Sequence, residues 1–153
     1  MATDTFRTDV SRFFRGVDLK IEAVLGGTAK QLHARVRDIT PYRTGRARAS
    51  WNIKGNASDD QPAPDIGLGG IDATDAEIAA ANAFFDSLAR SKSNFQIDPG
   101  TKEVHVTNTV HYIEGLNAGR SQQAPAGFFN AVVASADLVA RSVAAKVATG
   151  GKP

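Results

Sequence analysis

Residues 40–51 read Thr40-Pro41-Tyr42-Arg43-Thr44-Gly45-Arg46-Ala47-Arg48-Ala49-Ser50-Trp51, and this stretch decides how the chain before it is joined to the chain after it. Pro41 ends any helix that reaches it, because the residue before a proline is pushed out of the helical region and the ring has no N–H to donate. Thr44-Gly45 supplies a turn. From Ala47 to Ile53 the sequence alternates, with Ala47, Ala49, Trp51 and Ile53 on one side and Arg48, Ser50 and Asn52 on the other. That alternation predicts a strand, with the single tryptophan as its core anchor. Arg43, Arg46 and Arg48 make the stretch the best candidate in the chain for anion binding. Tyr42 and Trp51 are the only rings nearby and Trp51 is expected in the core, so ion pairs with a neighbouring subunit fit the cluster better than stacking on nucleic acid.

Towards the N-terminus, apolar positions fall at Phe6, Val10, Phe13, Val17, Ile21, Val24, Thr28, Leu32, Val36 and Ile39. Steps of three and four draw one stripe along a helix on the order of 50 Å long. Arg7, Arg12, Arg15, Lys20, Glu22, Lys30, Arg35 and Arg37 occupy its other face. Core packing accounts for the stripe, and a helix this long in a small domain overhangs, which suits a neighbouring subunit. Gly16 and Gly26-Gly27 each cost about 1 kcal/mol relative to alanine in a helix, so a kink or break is expected near 26.

Towards the C-terminus, residues 55–89 hold seven acidic side chains (Asp59, Asp60, Asp65, Asp72, Asp75, Glu77, Asp86) and no basic one. Pro62, Pro64, Gly67, Gly69 and Gly70 make the first half a mobile loop. Thr74 and Glu77 have capping-box spacing, and Ile78, Ala81, Phe85, Leu88 and Ala89 then form a short amphipathic helix. Phe95 and Ile97 before Asp98-Pro99-Gly100, with Val104 and Val106 after it, predict a hairpin around a type II turn. After an irregular stretch from Asn108 to Gln123, Pro125 is expected to open a last helix striped by Phe129, Val132, Val133, Ala136, Val139, Ala140, Val143 and Val147.

The whole chain has 153 residues, a one-domain length, and a net charge of +2 that argues for neither nucleic acid nor a membrane surface. Charge is unevenly distributed: residues 1–54 carry eleven Lys and Arg against five Asp and Glu, a balance of +6 that leaves the remainder at −4. The absence of cysteine excludes disulfides, thiolate metal sites and a cysteine nucleophile. No apolar run approaches the roughly 20 residues that span a bilayer, and the N-terminus lacks the pattern of a secretory signal. The expectation is a soluble, intracellular protein. His33, His105 and His111 have no metal-ligand spacing, no nucleophile elbow or phosphate loop occurs, and the acidic segment lacks calcium-loop spacing. Neither a catalytic residue nor a cofactor site is expected.

Thr40-Pro41, Thr44-Gly45, Arg46 and Trp51 resemble the threonine-proline, threonine-glycine, arginine, tryptophan signature of the neck and tail-completion (head-tail joining) proteins of long-tailed bacteriophages. Asn108, Tyr112, Leu116, Gly119, Ser121, Gln123, Ala124, Pro125 and Gly127 stand in the order and spacing of that family's second signature. The resemblance runs from the first helix to the last and is weakest in the acidic middle. Arg43 stands where the family commonly has an acid, His111 where it often has proline and Asn117 where it often has glutamate, so no individual salt bridge is carried over. The resemblance implies an α+β subunit, with a long N-terminal helix and a C-terminal helix packed on a small antiparallel sheet. Residues 1–148 would form one domain, with a mobile acidic loop at about 55–73 and a frayed tail at 149–153. It further implies a non-enzymatic virion protein of the neck, of tail-completion or tail-terminator type. Such a protein forms a homo-oligomeric ring, six copies being favoured, and meets head-side connector proteins on one side and tail-tube or terminator proteins on the other. DNA passes through the channel with passive contact at most, and no membrane is involved. The competing expectation is a DNA-binding module that uses Arg43, Arg46 and Arg48.

Overall fold

The computed structural model describes the backbone of residues 2–68 and 72–153, and the side chains of residues 16, 18, 20–68 and 72–153. The stripe residues Phe6, Val10, Phe13 and Val17, the side chains of Arg7, Arg12 and Arg15, and the loop residues Gly69 and Gly70 lie outside what it describes. Helix α1 (Ala2–Ile39) is followed by the single turn α2 (Arg46–Ala49), strand β1 (Asn52–Gly55), helix α3 (Asp75–Lys92), strand β2 (Val104–Thr107), the single turn α4 (Ile113–Gly115) and helices α5 (Phe128–Ala134) and α6 (Ala136–Ala148). β1 and β2 pair antiparallel, from Asn52 opposite Thr107 to Gly55 opposite Val104. The chain is α+β, with α1 packed along α6 and against α5 and β2. No helix among the described residues is long and apolar enough to cross a membrane.

Helix α1 runs unbroken through Gly26 and Gly27, contrary to the expected break. A Cβ on Gly26 would stand 3.3 Å from Ile97, and one on Gly27 would stand 2.8 Å from Val143 Cγ1 and would also collide with Pro153. The pair is therefore a notch that lets α6 and the 95–97 segment approach the helix axis. The gain in packing offsets the low helix propensity of glycine.

The strand expected at 47–53 divides into two elements. Gly45 takes the left-handed conformation (φ 89°), and Arg46–Ala49 close a helical turn through Ala49 N–H to Gly45 O and Ser50 N–H to Arg46 O, both 2.9 Å. Alanine and arginine are strong helix formers, and Ala47 and Ala49 are buried on two different sides, which imitates strand alternation in the sequence. The strand begins only at Asn52. Trp51 is buried as expected, with 7 % of its surface exposed.

The Asp98-Pro99-Gly100 turn forms, with Gly100 at φ 83° and Thr101 N–H bonded to Asp98 O at 3.1 Å, but it does not make the expected hairpin. Residues 95–97 are not a strand. β2 pairs with β1 instead, because Ile97 is drawn onto Gly26 and Gly100 N–H donates to Glu22 of α1 at 2.7 Å. The last helix also starts later than Pro125 and is divided. Gly127 (φ 75°) turns the chain into α5, and Ser135 separates α5 from α6 while its hydroxyl donates to Val132 O at 2.7 Å. Of the expected stripe, Val132, Val139 and Val143 are buried, whereas Val133 is 67 % exposed. The capping box at α3 is as read: Glu77 N–H donates to Thr74 Oγ1, and the Glu77 carboxylate accepts from Thr74 N–H.

Candidate functional site

The end of α1 and the start of β1 are tied together by side chains on both elements. Trp51 Nε1 donates to Thr40 Oγ1 at 2.8 Å, and the Thr40 hydroxyl donates onward to Val36 O inside α1. One turn earlier, His33 Nε2 lies 3.0 Å from Trp51 O, so the neutral ring carries its proton on Nε2 and donates it. Burial holds the His33 pKa below the usual imidazole value, and Arg37 and Lys92 add to the effect against the Trp51 hydrogen bond. Trp51 is thus fixed to α1 at its ring and at its backbone, and its ring meets Phe129 edge-on at 6.1 Å.

The three arginines of the stretch do not converge. Arg46 turns towards the acidic loop, donating from Nε to Ala63 O and from Nη1 to Asp65 Oδ2, each 3.0 Å. Arg48 turns back to the end of α1, where Nη2 donates to Asp38 O at 3.3 Å and Thr40 O at 3.2 Å, with its guanidinium 4.5 Å above the Tyr42 ring. A cation at the carbonyl end of a helix complements the helix dipole. Arg43 alone is exposed.

The two sequence signatures meet in a cleft of about 260 Å³. Pro41, Arg43, Thr44, Gly45 and Arg46 line it from the first signature, and Tyr112, Leu116, Ser121 and Gln123 from the second. Gln123 Oε1 accepts from Tyr42 N–H at 2.6 Å, and Asn108 Nδ2 donates to Ala47 O at 2.8 Å. Gly45 is obligatory on two counts, since a Cβ there would meet Phe85 and Tyr42 at 3.1 Å on top of the positive φ. Gly119 (φ 89°) and Gly127 shape the backbone behind the cleft rather than its wall, and Pro125 is exposed in the turn between them.

Several residues that hold this joint carry no signal in the sequence. Asn117 is the clearest: its carbonyl oxygen accepts from Gly127 N–H at 2.6 Å and its side-chain oxygen from Phe129 N–H at 3.2 Å, capping α5 from the wide helical turn Leu116–Arg120 that follows α4. Asn82 of α3, its amide nitrogen turned to the loop, donates to Arg43 O and Thr44 O at 3.0 Å each. Tyr42 reaches Asp86 of the same helix at 3.3 Å, and burial followed by the Asp86 charge raises its phenol pKa. Lys92 donates to Ala49 O at 2.7 Å and to Asn52 Oδ1. A capping asparagine or a lysine turned inward looks like any polar surface residue until the chain is folded around it.

The acidic segment is strapped to the body through its backbone carbonyls. Asp59 O accepts from Asn52 Nδ2 at 2.9 Å and Thr107 Oγ1 at 2.6 Å, Asp60 O accepts from Thr109 Oγ1, and Ala63 N–H donates to Ser50 Oγ. Asp60 and Asp65 are exposed, with Asp65 paired to Arg46, while Asp59 is half-buried. Among the described residues no three His, Asp or Glu side chains gather as a metal site would require. Comparison with protein-family models, with curated proteins and with solved structures returns no match to this chain.

Proposed function

We propose that this chain is a structural subunit of the phage neck that joins head to tail, a ring-forming protein of tail-completion or tail-terminator type. The observation that supports it is the meeting of the two signatures: segments about 60 residues apart build one cleft and one hydrogen-bonded joint. The arrangement suits rigidity, since Trp51, Thr40, Arg48 and Tyr42 lock the end of α1 to the sheet. Assembly into a ring needs such stiffness, because a head-to-tail interface closes only when each copy holds the same rotation. The exposed carboxylate of Asp60, the half-buried one of Asp59 beside it, and the basic N-terminal third offer opposite charges for successive copies.

The competing reading, a DNA-binding module, asks Arg43, Arg46 and Arg48 to grip phosphate together. Arg46 and Arg48 are engaged inside the molecule, which favours assembly. The test is to size the purified chain by light scattering, alone and mixed with phage tails that lack a completed end. Assembly expects a closed oligomer that binds the tail tip and weakens with salt when Asp59→Lys and Asp60→Lys are introduced. A monomer that ignores tails and binds duplex DNA, with affinity lost in Arg43→Ala, would overturn it.

A further inference from the structure

A second, smaller cavity of about 140 Å³ lies outside the cleft, walled by Lys30, His33 and Arg37 of α1, Ile53 of β1, and Lys92 and Phe95 around the end of α3. Three of these side chains are cations, and among the described residues no carboxylate lines the space. Arg37 is aimed by Ser93, whose oxygen accepts from Nη1 while its hydroxyl donates to Ala89 O at 3.1 Å. The carboxylate beside Arg37, Asp38 at 3.2 Å, is 66 % exposed and stands outside the wall. Lys92 directs two of its three N–H groups at Ala49 O and Asn52 Oδ1, leaving one. Asp59 acts on it only through space, and Lys30 makes no ion pair among the described residues.

Three cations around a partly enclosed space, with only the exposed Asp38 paired to one of them from outside, repel one another, and an anion with several acceptor oxygens relieves this. We propose that this cavity binds one small tetrahedral oxyanion, phosphate or sulfate, held by Lys30, Arg37 and Lys92. Size agrees with that class. The space of about 140 Å³ has room for an ion of that size. His33 sits in the wall as a built-in reporter. Lys30, Arg37 and Asp38 face it from α1 and Lys92 from α3, with Asp59 beyond, so an added dianion favours its imidazolium.

The experiment follows the His33 ring by NMR across a pH titration of the full chain, in sodium sulfate and in sodium chloride at equal ionic strength. The expected result is a higher His33 midpoint in sulfate that saturates with concentration. Arg37→Gln and Lys30→Gln, which leave the core intact, should each weaken sulfate about tenfold or more. Lys92→Met should abolish the response, and if that variant does not fold, the other two still decide. Equal midpoints in the two salts, or an unchanged sulfate response in the Arg37→Gln, Lys30→Gln double variant, overturn the site. Inorganic phosphate at fixed pH should compete with sulfate. A short DNA duplex that displaces sulfate identifies the phosphate as one carried on a nucleic-acid backbone, and a duplex that leaves sulfate in place identifies a free ion; both outcomes keep the site. None of these readouts depends on ring assembly, so the two proposals fail separately.

Discussion

Ala47 and Ala49 sit two residues apart on α2 and belong to two different interiors. Ala47 faces large side chains, Trp51, Ile113, Phe128 and Val132 among them, gathered from α1, the joint and α5. Ala49 faces Ala63, Ala81 and Ala89, with Phe85 as the one large buried member of its cluster. The first interior is stabilised by the area of rings and branched chains removed from water. The second is stabilised by how closely α2, α3 and the 63–68 strap approach one another, which only small side chains permit. One should be fragile to truncation and the other to enlargement.

The largest effect expected is at the first interior. Trp51→Ala should lower unfolding free energy by about 3–5 kcal/mol in urea denaturation, since it removes a buried ring and leaves Thr40 Oγ1 without its donor. Next comes enlargement of the second interior: Ala81→Leu should destabilise by about 1–3 kcal/mol, because Ala81 is buried in the same cluster as Phe85 and Ala49 and a larger side chain must displace them. If Ala81→Leu is neutral while Trp51→Ala is severe, the second interior has slack and the contrast breaks.

The smallest effect is a pH dependence that belongs to the first interior alone. The folded pKa of His33 lies below its ordinary 6.5, so as pH falls through that value the unfolded chain takes up a proton that the folded one resists. Stability conferred by the neutral ring is whole above 6.5 and declines as pH falls towards the folded pKa. His33→Gln should flatten that decline in urea midpoints measured across the range. An equally steep decline in the variant would show that His33 is not its source.

The first interior was half legible in the sequence: Val36, Ala47, Trp51 and Val132 follow from the stripes and the alternation, whereas Val110, Ile113, Ala124 and Phe128 come from irregular segments or fall off the stripe. Outside that cluster, Val139 and Val143 are buried where the last stripe put them. Partners of the second were half legible. The α3 stripe through Ala81, Phe85 and Ala89 is visible, but Ala63 lies in a segment that composition reads only as loop, and its burial depends on Ser50 Oγ and Arg46 reaching it from afar. The same limit governs the site. Pro41, Gly45 and Trp51 act locally, through φ, sterics and size, and so declare themselves in the sequence. The directions of Arg46 and Arg48 depend on Asp65, Ala63 and the end of α1, which no spacing rule connects. Strand pairing failed as a reading for a related reason. A short apolar alternation says that a segment can pair, and the partner was decided by Ile97 being needed against Gly26.

The packing of α1 on α6 also sets an order of events during synthesis. Arg35 and Ser135, which meet across the α1–α5/α6 junction, are 100 positions apart, and the notch at Gly27 is filled by Val143 of the last helix. A ribosome releases residues at about 5–20 per second, so α1 emerges several seconds before its partner exists. Through that interval α1 can meet only the elements made before α6, namely α2, β1, β2 and α5 in turn. The notch at Gly27 is closed only when α6 has been made.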